Sequence, residues 1–130
     1  MRDNEYAMHR SLSGVGFEQA IERVTEALKE EGFGVLTTID VQGTFRTKIG
    51  EDFRPYVIIG ACNPVLAHAA LTQDDNIGLL LPCNVVVAAT DDGAEVCCVR
   101  PDQMMVMAGP AIERVAEEAQ AKLERAMAAL

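Results

Sequence analysis

The amino-acid sequence predicts a single α+β domain, and three observations lead to that fold class. The chain has 130 residues, of which 49% are hydrophobic, and this is enough to bury one core. Two segments, residues 17–31 and 110–130, carry apolar residues at helical spacing, while short β-branched runs between them are typical of strands. No linker, low-complexity tract or strong repeat divides the chain, so we expect one domain over residues 1–130.

In the first half of the chain, strand and helix patterns alternate. Residues 5–12 predict a strand, and residues 17–31 predict an amphipathic helix that Gly32 ends as a C-cap. Residues 34–41 form a short β-branched run, which favours a second strand. A short helix is expected over residues 44–49. The apolar face of the longer helix consists of Phe17, Ala20, Ile21, Val24 and Leu28.

The second half begins with an apolar strand at residues 56–61, whose continuous Val-Ile-Ile run indicates burial on both faces. Proline is tolerated at a helix start, so a helix is expected from Pro64 to Leu71. Residues 85–90 and 94–99 flank an Asp-Asp-Gly sequence, which predicts a β-hairpin. The last segment predicts a helix of about five turns. Its apolar face consists of Ile112, Val115, Ala116, Ala119, Leu123, Ala126 and Met127.

Charge and targeting features exclude several classes of function. The chain has 11 Lys and Arg against 20 Asp and Glu, a formal net charge of −9, which disfavours binding to nucleic acid or to anionic membranes. Residues 1–12 lack the apolar region of a signal peptide, and the longest apolar stretch, residues 77–89, is too short to span a bilayer. We therefore expect a cytoplasmic protein with reduced cysteines.

Two cysteine-asparagine pairs are the strongest candidates for a functional site. Cys62 and Cys83 each lie where an apolar run meets a turn or a new element, and His68 follows Cys62 by six residues. Two thiols and an imidazole that converge would bind a zinc or copper ion. The same groups would also suit a reactive thiolate, whose pKa a helix N-terminus and the imidazole would lower.

A structural interpretation of the same segments stands beside these two. Free cysteines are commonly buried as small hydrophobes. Asn63 and Asn84 would then bond backbone groups at turns or helix starts. In each interpretation these asparagines, together with Pro64 and Pro82, shape the surroundings of the two thiols.

A second polar group consists of Asp40, Lys48, Asp52 and Arg54, which cluster around a short predicted helix and two strand ends. Surface ion pairing is the ordinary role of such residues and contributes less than about 1 kcal/mol per pair. A functional role would have Lys48 and Arg54 bind an anionic ligand, because strand-end residues commonly line pockets.

Two further groups of sulfur-containing residues occur late in the chain. Cys97 and Cys98 are adjacent on a predicted strand, so one side chain is expected to face the core and the other solvent or a partner. Met104, Met105 and Met107 indicate a core or interface stripe, with a soft copper-binding surface as the alternative.

Several segments, in order and at compatible spacing, resemble the domain of unknown function 302 (DUF302) family. The resemblance covers residues 17–107, most of the chain. The segments that carry it are Glu31 to Val41, Asp52 to Tyr56, Gly60 to Pro64 with Leu66 to His68, and Gly78 to Val85.

The resemblance implies a two-layer α/β sandwich, in which helices pack on a curved, mostly antiparallel sheet, and it implies a homodimer. It implies no reaction, because the family has no established activity. Three hypotheses follow: a small-ligand or metal-binding module, a thiol-based redox protein or sensor using Cys62 and Cys83, and a purely structural dimer. The signature positions correspond here to Asp40, Phe53, Arg54, Pro55, Cys62, Asn63, Pro64, His68, Pro82, Cys83 and Asn84.

Overall fold

Five strands form one open sheet in the order β1-β5-β4-β3-β2, and every neighbouring pair is antiparallel. The computed structural model describes residues 1–130. The strands are β1 (Ala7–Ser13), β2 (Gly34–Asp40), β3 (Tyr56–Cys62), β4 (Cys83–Thr90) and β5 (Gly93–Val99). The helices are α1 (Phe17–Glu30), α2 (Val41–Ile49), α3 (Pro64–Gln73), α4 (Pro101–Met104) and α5 (Pro110–Ala128), with short 3-10 segments at Asp75–Leu80 and Val106–Ala108.

One face of this sheet packs against α1 and α5. Alternate residues of a strand point to the same face, and the alternate positions Val85, Val87 and Val96 are fully buried there. Leu28 of α1 and Leu123 of α5 belong to the same hydrophobic core. The predicted two-layer α+β sandwich is confirmed. None of the helices is long and apolar enough to cross a lipid bilayer.

The elements follow the sequence patterns closely, and α2 differs most. This helix begins at Val41 rather than Thr44, because Asp40 acts as its N-cap and its Oδ1 accepts a hydrogen bond from the Gly43 amide at 2.9 Å. The helix ends at Gly50, whose φ of 66° lies in the left-handed region that glycine adopts without strain. Because the capping side chain belongs to Asp40, three residues before Gly43, the helix begins before this glycine and includes it.

The C-terminal end of α5 is held to the sheet through an arginine on β1. Arg10 donates from Nη1 to the carbonyl of Met127 at 2.8 Å and from Nη2 to the carbonyl of Leu130 at 2.7 Å. The last carbonyls of a helix have no partner within it, and a guanidinium satisfies them while favouring the negative end of the helix dipole. This contact joins the first strand to the last helix.

The face of α5 that packs against the sheet should contribute strongly to the free energy of unfolding. Leu123 is fully buried, so Leu123→Ala is expected to lower the free energy of unfolding by about 2–5 kcal/mol, since it removes apolar contact and leaves a cavity. Urea denaturation followed by circular dichroism measures this loss. The matched control is Leu79→Ala, at a position 86% exposed, which should change stability by less than about 0.5 kcal/mol. Equal effects of the two changes would contradict the assignment.

Candidate functional site

Cys62 and Cys83 lie close together where β3 ends and β4 begins. The register pairs Ala61 directly with Cys83, so Cys62 is one residue beyond that pair. Both cysteines line a small cavity of about 20 Å³, which the side chain of Met105 also reaches. Its remaining lining is almost entirely apolar. The structure thus places the two cysteines that the sequence singles out, together with Met105, around one cavity.

Burial controls the chemistry of this thiol pair. Burial, and to a lesser degree repulsion between the thiolates of Cys83 and Cys62, together raise the pKa of Cys83 to about 11. Cys83 therefore carries its proton at neutral pH. A redox thiol needs the opposite environment, one that is electropositive and partly open to solvent.

His68 does not join the two cysteines. It lies on α3 and is exposed, whereas Leu66 and Ala70, two residues to either side, are the buried positions of that helix. A step of two residues turns a helix by about 200°, so the imidazole is directed away from the core that Leu66 and Ala70 enter. No three His, Cys, Asp or Glu side chains form a group that could hold a metal ion. The expected convergence of Cys62, Cys83 and His68 is therefore not found.

Asn63 and Pro64 organise the start of α3. The Oδ1 atom of Asn63 accepts from the Leu66 amide at 3.2 Å, and its Nδ2 donates to the carbonyl of Glu31 at 3.4 Å. Pro64 occupies the first turn of the helix, where its missing amide hydrogen costs nothing. Asn63 caps one helix and ties it to the segment after another, which is the structural role foreseen for it.

Pro82 packs against a glycine of the neighbouring strand. A Cβ added to Gly60 would lie 2.8 Å from Cγ of Pro82 and would also overlap Oγ1 of Thr37. Real Cβ atoms do not approach other atoms so closely, so only glycine fits here. The close approach brings the start of β4 against β3, which is what places Cys83 beside Cys62.

Asn84 belongs to a different part of the molecule, on the face of the sheet opposite the core. We call this the second face. Residues of β4 alternate, so Asn84 and Val86 point there while Cys83 and Val85 point to the core. Val86 is paired with Ile58 on one side and Cys97 on the other. The half-buried Cys97 and buried Cys98 are on opposite faces, as the sequence predicts.

A groove of about 520 Å³ crosses the second face. Its floor includes Asn84, Val86 and Cys97, and Tyr6 and Tyr56 stand at its sides. The N-terminal residues Met1, Arg2 and Asn4 also line it. We call this feature the second-face groove. Sequence reasoning missed it because the groove depends on which strands lie side by side and on the path of residues 1–4, which belong to no periodic element.

A buried carboxylate lies beside the groove on the same face. Glu95 is only 7% exposed and accepts hydrogen bonds from His9 Nε2 and Arg54 Nη1, each at 2.8 Å. The N-terminal ammonium of Met1 lies 3.3 Å from Glu95 Oε1. Arg54, expected to bind an anion or to pair at the surface, is thus engaged by an internal carboxylate. The signal for this cluster is a glutamate at the middle of an apolar strand.

Together, the hydrogen-bonding and charged partners of Glu95 lower its pKa by more than burial raises it. Burial alone would raise the pKa of this carboxyl group, but hydrogen bonds from Arg54 and His9 and the charge of the N-terminal ammonium lower it below its ordinary value of 4.5. Glu95 is therefore ionised at neutral pH and fixes the side chains around it. Asp40, an acidic residue of the second polar group, is instead occupied as the cap of α2.

Comparison with known proteins gives a consistent result. The family model described as "Domain of unknown function DUF302" matches residues 8–130. The crystal structure of an uncharacterized conserved protein DUF302 from Bacillus stearothermophilus is similar, with 28% sequence identity and a TM-score of 0.85. The match covers 95% of this chain and 96% of that one. No curated protein matches the chain.

The Glu95 cluster should make stability depend on pH in acid. Because the pKa of Glu95 is depressed in the folded protein, its stabilisation is present above the ordinary value of 4.5 and is lost as pH falls through the folded value. Glu95→Gln is expected to lower the free energy of unfolding at neutral pH by about 1–3 kcal/mol. It should also flatten the dependence of stability on pH below 4.5, measured by urea denaturation across that range.

The matched control for this prediction is Glu117→Gln, at an exposed position on α5. It should leave both the stability at neutral pH and the acid slope as in the wild type. An acid slope that is identical in the wild type and in Glu95→Gln would show that the cluster does not hold the carboxylate ionised.

Proposed function

The chain belongs to the DUF302 family, whose description names no activity, and we propose that this chain is a small-molecule-binding domain. Its ligand would be an anion with an apolar or aromatic body that lies in the second-face groove. The observation that carries the proposal is the groove itself. At about 520 Å³ it falls within the range of roughly 300–1,000 Å³ that small-molecule sites occupy.

The lining of the groove supports an apolar ligand body. Val86 and Val99 provide aliphatic surface, and the rings of Tyr6 and Tyr56 provide aromatic surface with a hydroxyl at the rim. Asn84 is exposed on the floor and has both a donor and an acceptor free of protein partners among the hydrogen bonds of the fold. Apolar walls with a few polar groups are typical of ligand sites.

The charge of the lining supports an anionic group on the ligand. Although the whole chain has a net charge of −9, none of the residues that line the groove is Asp or Glu. The lining includes Met1, whose ammonium is paired with Glu95, and Arg2, whose guanidinium has no partner in the ion pairs of the fold. A guanidinium pairs well with a carboxylate or phosphate. Arg2 therefore gives the groove one cationic group that an anionic ligand could pair with.

The cavity between Cys62 and Cys83 supports no such function. Its volume of about 20 Å³ is little more than the 10–15 Å³ that a single water requires. An organic ligand does not fit there without a rearrangement of Phe33 and Leu66, which are buried around it. The small-ligand hypothesis therefore moves from the cysteine pair to the opposite face of the sheet.

An aromatic anion should bind in the second-face groove. We expect anilinonaphthalene sulfonate, a fluorescent aromatic anion, to bind the native protein at one site and to be displaced by simple aromatic carboxylates. Val86→Asp places a carboxylate on the floor and should weaken binding by at least about tenfold, since a like charge near the site costs more than about 1.4 kcal/mol. Fluorescence titration measures the affinity, and circular dichroism verifies folding.

Two controls separate the groove from general surface effects. Val106→Asp introduces the same charge at an exposed position outside the groove and should leave affinity unchanged. Arg2→Glu should weaken binding and reduce its dependence on salt, while Arg114→Glu on the exposed side of α5 should not. Equal affinities for Val86→Asp and Val106→Asp would refute the groove as the binding site.

Homodimerisation is a second candidate property, supported by β2 and α2. Every residue of β2 is exposed, and no residue of α2 is buried. The apolar side chains Leu36, Ile39 and Ile49 are 67%, 49% and 66% exposed. A nine-residue helix is marginal in water without packing, since isolated helices need about 12–15 residues. The segment of β2 and α2, residues 34–49, would be stabilised by another surface that covers it.

A second copy of the chain fits the free edge of β2. This strand pairs with β3 on one side only, and Gly34 to Ile39 contains no charged residue to protect its outer edge. Two β2 strands related by a two-fold axis would pair antiparallel and extend the sheet. The same contact would cover Leu36 and Ile39 with their symmetry mates.

The oligomeric state checks this arrangement directly. Sedimentation equilibrium at micromolar concentration is expected to give twice the chain mass of 14.0 kDa, and Leu36→Lys should give the monomer because it places a charge in the interface. Leu79→Lys, at an exposed position away from β2, should remain dimeric. A monomeric wild type would exclude this role for β2.

A further inference from the structure

Residues 1–6 precede β1 and lie against the second face of the sheet, where they contribute to the lining of the groove. The chain reverses in a turn, in which the Asn4 amide donates to the Ala7 carbonyl at 3.0 Å and the Asn4 side chain accepts from the Tyr6 amide at 2.9 Å. The Arg100 amide donates to the Tyr6 carbonyl at 2.8 Å and fixes the end of this turn to the sheet. We call residues 1–6 the N-terminal strap.

Two polar contacts hold the first half of the strap to the strands. The Oδ1 atom of Asp3 accepts from the His9 amide at 2.7 Å, and the ammonium of Met1 lies 3.3 Å from Glu95 Oε1. Because β1 is an edge strand, its outer amides have no partner strand, and Asp3 supplies one of them with an acceptor. Residues 1–3 therefore run back beside β1 toward Glu95.

The strap is held by these contacts and not by apolar burial. All six of its residues are exposed, whereas Ala7 and Met8, which follow it, are 5% and 8% exposed. Segments with few buried contacts and solvent-exposed hydrogen bonds open locally at a small free-energy cost. The strap can therefore leave the sheet and return to it while the core stays folded.

One wall of the second-face groove consists of the strap. Four of the eleven lining residues belong to it, namely Met1, Arg2, Asn4 and Tyr6. Arg2 lies between Met1 and Asp3, the two anchored residues, and its guanidinium has no partner among the ion pairs of the fold. The position of this cationic group in the groove thus depends on whether the strap is docked.

We propose that the N-terminal strap closes over a small aromatic anion in the second-face groove, and that Asp3 is the positioning residue that keeps the strap docked. This inference rests on the proposed binding function of the groove. Asp3 is not among the lining residues, so it acts through the strap. A docked strap presents Arg2 and Tyr6 to the ligand, while an open strap removes both. The ligand in turn favours the docked strap, because a ligand stabilises the state that it binds more tightly.

Charge and positioning predict opposite effects of removing Asp3. Asp3→Ala deletes a negative charge next to the groove, and this loss alone would strengthen the binding of an anion. If Asp3 holds the strap, the same change weakens binding instead. Glu5→Ala is the matched control, since it deletes the same charge from an exposed residue of the strap that does not line the groove.

A fluorescence titration with anilinonaphthalene sulfonate tests the role of Asp3 in binding. The full chain is produced without a tag before Met1, so that the ammonium is present. Asp3→Ala should weaken binding by about fivefold or more, because the apparent affinity falls with the fraction of molecules whose strap is docked. Asp3→Asn has the same charge as Asp3→Ala but keeps an acceptor oxygen, and it should bind within about twofold of the wild type. Glu5→Ala should bind as tightly as the wild type or more tightly.

Hydrogen exchange of the His9 amide, followed by NMR, measures docking of the strap without any ligand. This amide should exchange at least about tenfold faster in Asp3→Ala than in the wild type, since its acceptor is lost. In Glu5→Ala the rate should stay within about twofold of the wild type. Saturation of the wild type with anilinonaphthalene sulfonate should slow exchange at His9, because the bound anion favours the docked strap.

The outcomes separate this inference from the function on which it rests. If Val86→Asp weakens binding but Asp3→Ala and Glu5→Ala bind equally, the strap has no role and the groove remains the binding site. Equal exchange rates of the His9 amide in Asp3→Ala and Glu5→Ala would also overturn the role of Asp3. A wild type that binds no anilinonaphthalene sulfonate would overturn the function of the groove and, with it, closure of the strap over a ligand.

Discussion

The structure depends on a sheet whose helices α1 and α5 pack against one side. Strand residues alternate between faces, so every second position of β4 and β5 enters the hydrophobic core, while its neighbours point to the second face. That geometry explains why Val85 and Val96 are fully buried while Val86 is not. It also makes the two faces of the sheet chemically different. One face is buried in the apolar core, and the other can carry polar groups.

The two candidate sites lie on opposite sides of this division. The cysteine cavity is on the core side, where burial keeps Cys83 protonated and where the lining is apolar apart from Asn63. The second-face groove is on the opposite side, beside the ionised Glu95 and its partners His9 and Arg54. An organic anion would suit the groove and not the cavity, because only the groove has the volume and the polar groups to hold one.

Side-chain contacts hold together the helix and strand ends that surround the two cysteines. Asn63 caps α3 and bonds the carbonyl of Glu31, and Pro82 packs against Gly60. These contacts hold the end of β3 and the start of β4 together, although the two strands are joined by a long helical connection. Asn63 and Pro82, which the sequence offers as site candidates, therefore have a demonstrable structural role.

The sequence by itself determined the fold class, most element bounds and the opposite orientation of Cys97 and Cys98, because periodicity, capping and turn residues are local properties. It also marked Cys62 and Cys83. Only the tertiary structure decided that Met105, and not His68, lines the cavity with them, since helix phase and loop path set which distant residues lie beside the strands. The Glu95 cluster and the groove likewise needed the sheet order, because register between strands brings His9, Arg54 and Glu95 together from three separate segments.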